Sequence, residues 1–225
     1  VKHHEPIGRY VTIEVDGQEY KVFYLSNGKG TPLVCQHTAG CHNHQWRGLL
    51  EDDEITKNYQ VIAYDLPRHG KSDPAHNTEW WKEEYKLTAE HYCNFILELC
   101  KALELDNPIF MGSSFGGNIA LHLALKYPNK FKAVIPVEAA HYSPGFYIDW
   151  WRHPHANAAQ VCGSGVWDLM APMSPDMDRW LTWHYYTQGS EAFKGAVSYT
   201  QLTLPTTPYV YISVVAVSLK NVGFR

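Results

Sequence analysis

Gly112-Ser113-Ser114-Phe115-Gly116 constrains this chain more than any other stretch. It has the form G-x-S-x-G. Pro108 through Met111 before it reads as a short buried strand. Ile119 through Leu125 after it reads as a helix that Pro128 helps to stop. A serine on so tight a strand-to-helix turn needs small neighbours, because the backbone is strained and side chains would collide. Gly112, Gly116 and Gly117 supply that room. The turn lifts the Ser114 hydroxyl above the sheet edge. It also sets the unpaired N–H groups of the helix start where negative charge would develop.

The rest of the chain supplies a sheet for that turn. Tyr10 to Val15 and Tyr20 to Leu25 alternate apolar and polar residues around Asp16-Gly17, which predicts a hairpin. Leu33 to Gln36 is a short apolar strand followed by His37-Thr38-Ala39-Gly40, and Gln45 to Leu50 reads as the start of a helix. Gln60 to Asp65 is another buried strand, running into the turn-rich Leu66-Pro67-Arg68-His69-Gly70-Lys71-Ser72. Tyr92, Phe95, Ile96, Leu99 and Leu103 recur at helical spacing behind Thr88, a fair N-cap. Phe131 to Val137 gives one more strand, ending in Glu138-Ala139-Ala140. Strands alternating with helices predict crossover units, a mostly parallel sheet and an α/β class. Ligands on such sheets bind beyond the carboxyl ends of the strands. The loops at 37–44, 65–76, 112–116 and 138–145 are therefore expected to meet at one site.

Residues 141–195 read differently. They hold Trp150, Trp151, Trp167, Trp180 and Trp183 with little strand pattern. They are expected to form a helical cap whose aromatic lining makes an apolar pocket over Ser114. Plain packing of aromatics in a helical layer is the competing reading.

Composition sets the outer bounds. The 225 residues suffice for one sizeable core, and 45% hydrophobic and 19% charged residues describe an ordinary globular protein. A net charge of −4 without a dense basic cluster argues against a nucleic-acid partner. No apolar run is long enough to span a bilayer, and the first residues carry no apolar leader, so a membrane partner is not expected. The missing initiator Met hints that residue 1 is not the native start. The five cysteines, Cys35, Cys41, Cys93, Cys100 and Cys162, are odd in number and irregular in spacing. A disulfide framework is not expected, and a reducing cytoplasm is the default localisation. Cys41, His42 and His44 lie near Cys35 and His37 in sequence, but their spacing matches no standard zinc pattern; the expected metal set is none.

With the turn, the His37–Gly40 loop and the Asp65–Ser72 segment in hand, the chain resembles the α/β-hydrolase superfamily, most closely its single-domain, cap-bearing serine members. The resemblance covers about residues 8–195. It implies a three-layer fold with helices on both faces of the sheet: a core at 1–140, a cap at 141–195 and a remainder at 196–225. It implies a serine hydrolase acting on an ester or related carbonyl compound, with an apolar or aromatic small molecule as substrate and no cofactor. Carbon–carbon bond hydrolysis and cofactor-free haloperoxidase chemistry use the same triad. A serine at position 114 argues against the dehalogenase and epoxide-hydrolase branches, which use a carboxylate there. The resemblance further implies that Ser114 is the nucleophile and that Phe115 N–H is one oxyanion donor. The second donor is Ala39 N–H, with Thr38 the next choice. His37 and His69 are implied to brace the site rather than to act as the base. The competing class is a non-catalytic member that keeps cap and pocket and binds a small ligand. Oligomeric state is left open.

One part of the pattern departs from the family. The acid and histidine normally follow the last two strands. Here no histidine follows His184, and no Asp or Glu occurs from Ala196 to Arg225. Val197 to Val210 shifts abruptly toward Thr, Pro and Tyr and resembles translated sequencing-adapter sequence. The genuine protein is therefore expected to stop near residue 195, with the last two strands missing and 196–225 foreign; a divergent natural ending is the alternative. Tyr209 to Leu219 reads as strand-like and could cover the sheet edge so exposed. Glu138 is the carboxylate candidate, because some family members carry the acid at this strand end; a plain loop hydrogen-bonder competes. Asp65 reads as a structural turn residue, and His141 as a weaker base candidate. A serine hydroxyl is a poor nucleophile without a base. The chain is thus expected to hydrolyse short p-nitrophenyl esters far more slowly than its uninterrupted parent, and equal turnover by the two would refute that expectation.

Overall fold

A computed structural model describes residues 5–82, 85, 87–139, 142–143, 163–164, 167, 170–187 and 202–203. The chain enters as a hairpin, β1 (Ile7–Val15) and β2 (Gln18–Asn27), closed by Asp16-Gly17 as the alternation predicts. β3 (Thr31–Gln36) follows, then a 3₁₀ turn at Asn43–Trp46 running into α1 (Arg47–Leu50), and α2 (Asp53–Thr56). Next come β4 (Tyr59–Tyr64), α3 (Ala89–Ala102), β5 (Ile109–Ser113), α4 (Phe115–Lys126) and β6 (Ala133–Val137). The six strands form one sheet in the order β1-β2-β4-β3-β5-β6. β3 runs parallel to β4 and β5, and β5 to β6; the hairpin joins antiparallel through β2 against β4.

Alternation along the central strands sends side chains to two different cores. Val34, Tyr64 and Phe110 face the layer holding α3 and α4, where Tyr92, Phe95, Ile96, Leu99, Ile119 and Leu123 pack. Leu33, Cys35, Val61 and Ala63 face the opposite layer with Leu50, Leu49 and Ile55 of α1 and α2. Both faces of the sheet are thus covered, and its inner strands are apolar on both sides. α3 forms where the 3.6-residue period lies, with the Thr88 hydroxyl oxygen accepting the His91 N–H at 3.2 Å as N-cap. α4 starts four residues before the predicted Ile119, directly behind Ser114. Its apolar residues surround it, so amphipathic period alone places its start poorly.

The strand ends are in register. Gln36 pairs with Tyr64 on one side and Gly112 on the other, and Gly112 pairs with Pro136. The four chain segments that leave this row therefore leave it side by side. Among the described residues β6 pairs with β5 alone.

Of the expected cap, the described part includes α5 (Asp176–Thr187), with Trp180 edge-on to Trp167 and Trp183 at centroid distances of 5.0 and 5.8 Å. An Arg47–Asp178 ion pair of 3.7 Å holds α5 against the segment after β3. Trp150, Trp151 and His141 lie outside the described residues, as does the strand expected at 209–219. Tyr142–Ser143 (β7) and Leu202–Thr203 (β8) pair antiparallel as a separate two-residue ladder. No described helix is long and apolar enough to cross a membrane.

Phe95 tests the larger core. It is 1% exposed, edge-on to Tyr20 at 5.8 Å and stacked near Tyr64 at 6.1 Å. Phe95→Ala removes a ring that bridges the hairpin, the sheet and α3, and should cost about 3–5 kcal/mol in urea unfolding.

Candidate active site

Ser114 sits where the sequence places it, between the last residue of β5 and the first of α4. Its φ of 55° and ψ of −114° lie in a region that a side-chain-bearing residue enters only under constraint. Four contacts supply the constraint. The Ser114 N–H donates to the Val137 carbonyl at 2.9 Å, tying the turn to the end of β6. The Asn118 N–H donates back to the Ser114 carbonyl at 2.9 Å, the first bond of α4. Gly112 lies against the Gly116 backbone so closely that a Cβ would overlap its carbonyl. Gly116 in turn lies on the Gln36 side chain, where a Cβ would come within 2.6 Å of Cγ. The turn is thereby wedged against the end of β3. Ser113, the other serine, is buried in the strand, whereas Ser114 is half-buried.

The loop after β3 lies beside this turn, because Gln36 and Gly112 are register partners. Its backbone donors are mostly spent. The Thr38 N–H donates to Gln45 Oε1 at 2.7 Å, the Gly40 N–H to His69 Nε2 at 3.4 Å and the Cys41 N–H to the Thr38 carbonyl at 3.2 Å. Among the described residues the Ala39 N–H has no such acceptor. The Phe115 N–H, at the first position of α4, has no intrahelical acceptor by helix geometry.

Two histidines brace these loops. His37 is fully buried; its Nε2 accepts the Leu66 N–H at 3.1 Å and its Nδ1 lies 2.7 Å from the Thr38 carbonyl. An Nε2 that accepts leaves the ring proton on Nδ1, where it donates to Thr38. His69 follows the same logic, with Nδ1 donating to the Pro67 carbonyl at 3.0 Å and Nε2 facing Gly40. Burial holds the His37 imidazole well below its ordinary range and His69 down at about 4. Both rings stay neutral at pH 7, and both of their nitrogens are committed.

Asp65 is the third brace. Its Oδ1 accepts the Asn43 backbone N–H and side-chain Nδ2, both at 2.7 Å, and its Oδ2 accepts the Lys71 N–H at 2.9 Å. Burial pushes its carboxyl up to about 6 against the pull of those donors. The Ser72 hydroxyl donates to the Asp65 carbonyl at 2.7 Å and accepts the Phe23 N–H at 2.8 Å, stitching the loop to β2. The long-range acceptors on Val137, Gln45 and His69 carry no local sequence signal, and only the register of the sheet reveals them.

Glu138 follows β6 with φ 54° and is exposed. His42 and His44 border a cavity of about 140 Å³ together with Lys71, Asp65 and His184 of α5. Burial pushes His42 down to about 4, and burial and then Lys71 lower His44. Among the described residues no group of three or more His, Cys, Asp or Glu side chains could hold a metal ion.

Comparison with known proteins agrees with this geometry. A family described as the alpha/beta hydrolase fold matches residues 31–159, more than half of the chain. The chain belongs to the α/β-hydrolase fold family. Among curated relatives, 3-oxoadipate enol-lactonase 1 of Acinetobacter baylyi is 24% identical over 164 residues, covering 73% of this chain and 52% of that protein. The 2-hydroxymuconate semialdehyde hydrolase of a Pseudomonas species is 29% identical over 119 residues, covering 51% of this chain and 38% of that protein. The chain thus spans between a third and about half of the length of the curated relatives it matches. Among solved structures, a candidate aryl esterase from Burkholderia cenocepacia superposes with a TM-score of 0.67 at 17% identity, over 87% of this chain and 74% of that one. At that identity the likeness shows the fold.

The neutral braces make the site acid-sensitive. A histidine depressed in the fold contributes stability above its unfolded pKa, near 6.5, and loses it as pH falls toward the folded value. Asp65 acts in the opposite sense, since its raised carboxyl is relieved below pH 6. His37, His42 and His69 together outweigh it, so urea stability should fall on acidification from pH 6.5 to 4.5. His69→Gln, which keeps an acceptor toward Gly40, should make that fall shallower by up to about 1.4 kcal/mol per pH unit.

Proposed function

We propose that this chain carries the nucleophile and oxyanion half of a serine-hydrolase site acting on an ester or related carbonyl compound. The observation that carries the reading is the backbone of Ser114, held at φ 55° on the strand-to-helix turn. In this reading the Ser114 hydroxyl oxygen attacks the carbonyl carbon and passes its proton to a general base. The carbonyl oxygen becomes an oxyanion and is held by the N–H groups of Phe115 and Ala39. The commitment of the Thr38 and Gly40 N–H groups elsewhere supports Ala39 over Thr38 as the second donor. Donors aimed at a developing oxyanion are each worth about 10²–10³ in rate. The adduct then collapses with loss of the alcohol, and water releases the acyl group.

The base is neither His37 nor His69, whose nitrogens are committed to Thr38, Leu66, Pro67 and Gly40. Glu138, the residue after Val137, is the carboxylate we assign to orienting a histidine. The relatives named as an enol-lactonase and a semialdehyde hydrolase support hydrolytic chemistry at a carbonyl compound. The aromatic run of 150–183 supports an apolar or aromatic substrate. Cys35, Cys41, Cys93 and Cys100 are free thiols, which supports a cytoplasmic setting.

A fluorophosphonate probe tests the proposal. Labelling should map to Ser114, vanish in Ser114→Ala and persist in Ser113→Ala. Saturable binding of a small apolar ligand with no labelled serine would instead favour the non-catalytic member of the fold.

A further inference from the structure

A groove of about 250 Å³ runs between the β1–β2 hairpin, the loop after β4 and the start of α3. None of its lining residues comes from the Ser114 turn or from the loop after β3, so it is a separate place in the fold. We propose that this groove binds a small aromatic carboxylate, with Arg68 and Tyr85 as the groups that hold the carboxylate.

Three features of the groove converge on that ligand. The first is an unpaired cation. Arg68 is half-buried, and among the described residues it makes no ion pair and no Asp or Glu lines the groove. Its guanidinium carbon lies 5.2 Å from the Trp80 ring centroid and 5.1 Å from that of Tyr85. Contact with ring faces leaves the in-plane N–H donors of the fork available to a carboxylate.

The second is strain. Arg68 has φ 64°, a left-handed backbone that is unfavourable for a residue with a Cβ. Glycine would avoid that cost, so the position keeps its long cationic side chain against the backbone preference.

The third is a stranded donor. Tyr85 is 9% exposed, and its hydroxyl is buried without a hydrogen-bond partner among the described residues. Burial raises its phenol well above the usual range, so it stays a neutral O–H donor. A buried polar group without a partner is unfavourable until something supplies one. A carboxylate supplies two acceptor oxygens, one for the Arg68 fork and one for Tyr85.

The walls select the rest of the ligand. Tyr20, Pro67, Pro74, Trp80 and Leu87 give flat apolar surfaces, and the volume is at the small end for ligand sites, suited to a single ring. The nearby described histidines are already paired. His91 Nδ1 is 2.7 Å from Asp16 Oδ2, and His76 Nδ1 is 2.7 Å from Glu19 Oε1. Among the described residues Arg68 is the one cation of the groove without an ion pair, which suits a singly charged carboxylate better than a dianionic phosphate.

Sodium benzoate is the probe. Titrated into the chain, it should give saturable quenching of Trp80 fluorescence and a matching isotherm by calorimetry. Benzamide and benzylamine should bind at least roughly tenfold more weakly, a comparison that needs no variant. Arg68→Lys, which keeps charge but loses the fork, should weaken benzoate about tenfold. Arg68→Gln should abolish binding, and Tyr85→Phe should weaken it several-fold while keeping its ring on His69. Circular dichroism establishes that each variant folds. The assignment is overturned by any of four results: no saturation at tens of millimolar benzoate, equal affinity for benzamide, undiminished binding by folded Arg68→Gln, or tighter binding of phenyl phosphate than benzoate.

Discussion

One hydrogen bond, from the Ser114 N–H to the Val137 carbonyl, sets the conditions for everything at the top of the sheet. It holds a side-chain-bearing residue in a backbone conformation that L-amino acids avoid. It can form only because Ser113 and Val137 are register partners at the end of β5 and β6. It also fixes where α4 begins, and with it the direction of the first free N–H of that helix. The sheet register, the strained turn and the helix start are one constraint seen at three scales.

Around this turn the loops are joined by groups that water never reaches. Asp65, His37 and His69 each use a side chain to take up backbone N–H groups from a neighbouring loop. Buried polar atoms are costly unless paired, so each such bond also excludes alternative loop paths. The tautomers of both imidazoles follow from the donors they face. Both ring nitrogens of each histidine are thereby engaged with loop backbone. In the loop after β3, the Ala39 N–H lies between the Thr38 and Gly40 N–H groups, which are committed to Gln45 and His69.

Much of this was legible in the sequence because the physics is local. The strands were readable as apolar runs bounded by turn residues, and Asp16-Gly17 marked the hairpin. The helical period behind Thr88 gave α3 and its cap. The glycines around Ser114 gave the turn, since only small residues tolerate the overlap with Gln36 and with the adjoining backbone. The extent of α4 was less legible, because a helix that is apolar on all sides has no face to read. α2 was not read at all, although Asp52 caps it by accepting from the Glu54 and Ile55 N–H groups. The braces made by Gln45, Asp65 and His69 were hidden for a different reason: each joins residues that only the fold makes neighbours. Arg68 was hidden as well, because a positive φ at arginine runs against every local preference that a sequence reading can use.

The described cysteines carry a consequence of their own. Cys35, Cys41, Cys93 and Cys100 are all buried, and burial pushes Cys41 and Cys100 up to about 12 and Cys93 to about 11. An electrophile or oxidant arriving at these positions meets protonated sulfur, which is a feeble nucleophile. In the folded state these four sulfurs behave as small hydrocarbons, and the redox state of the surrounding solution has little chemical purchase on them.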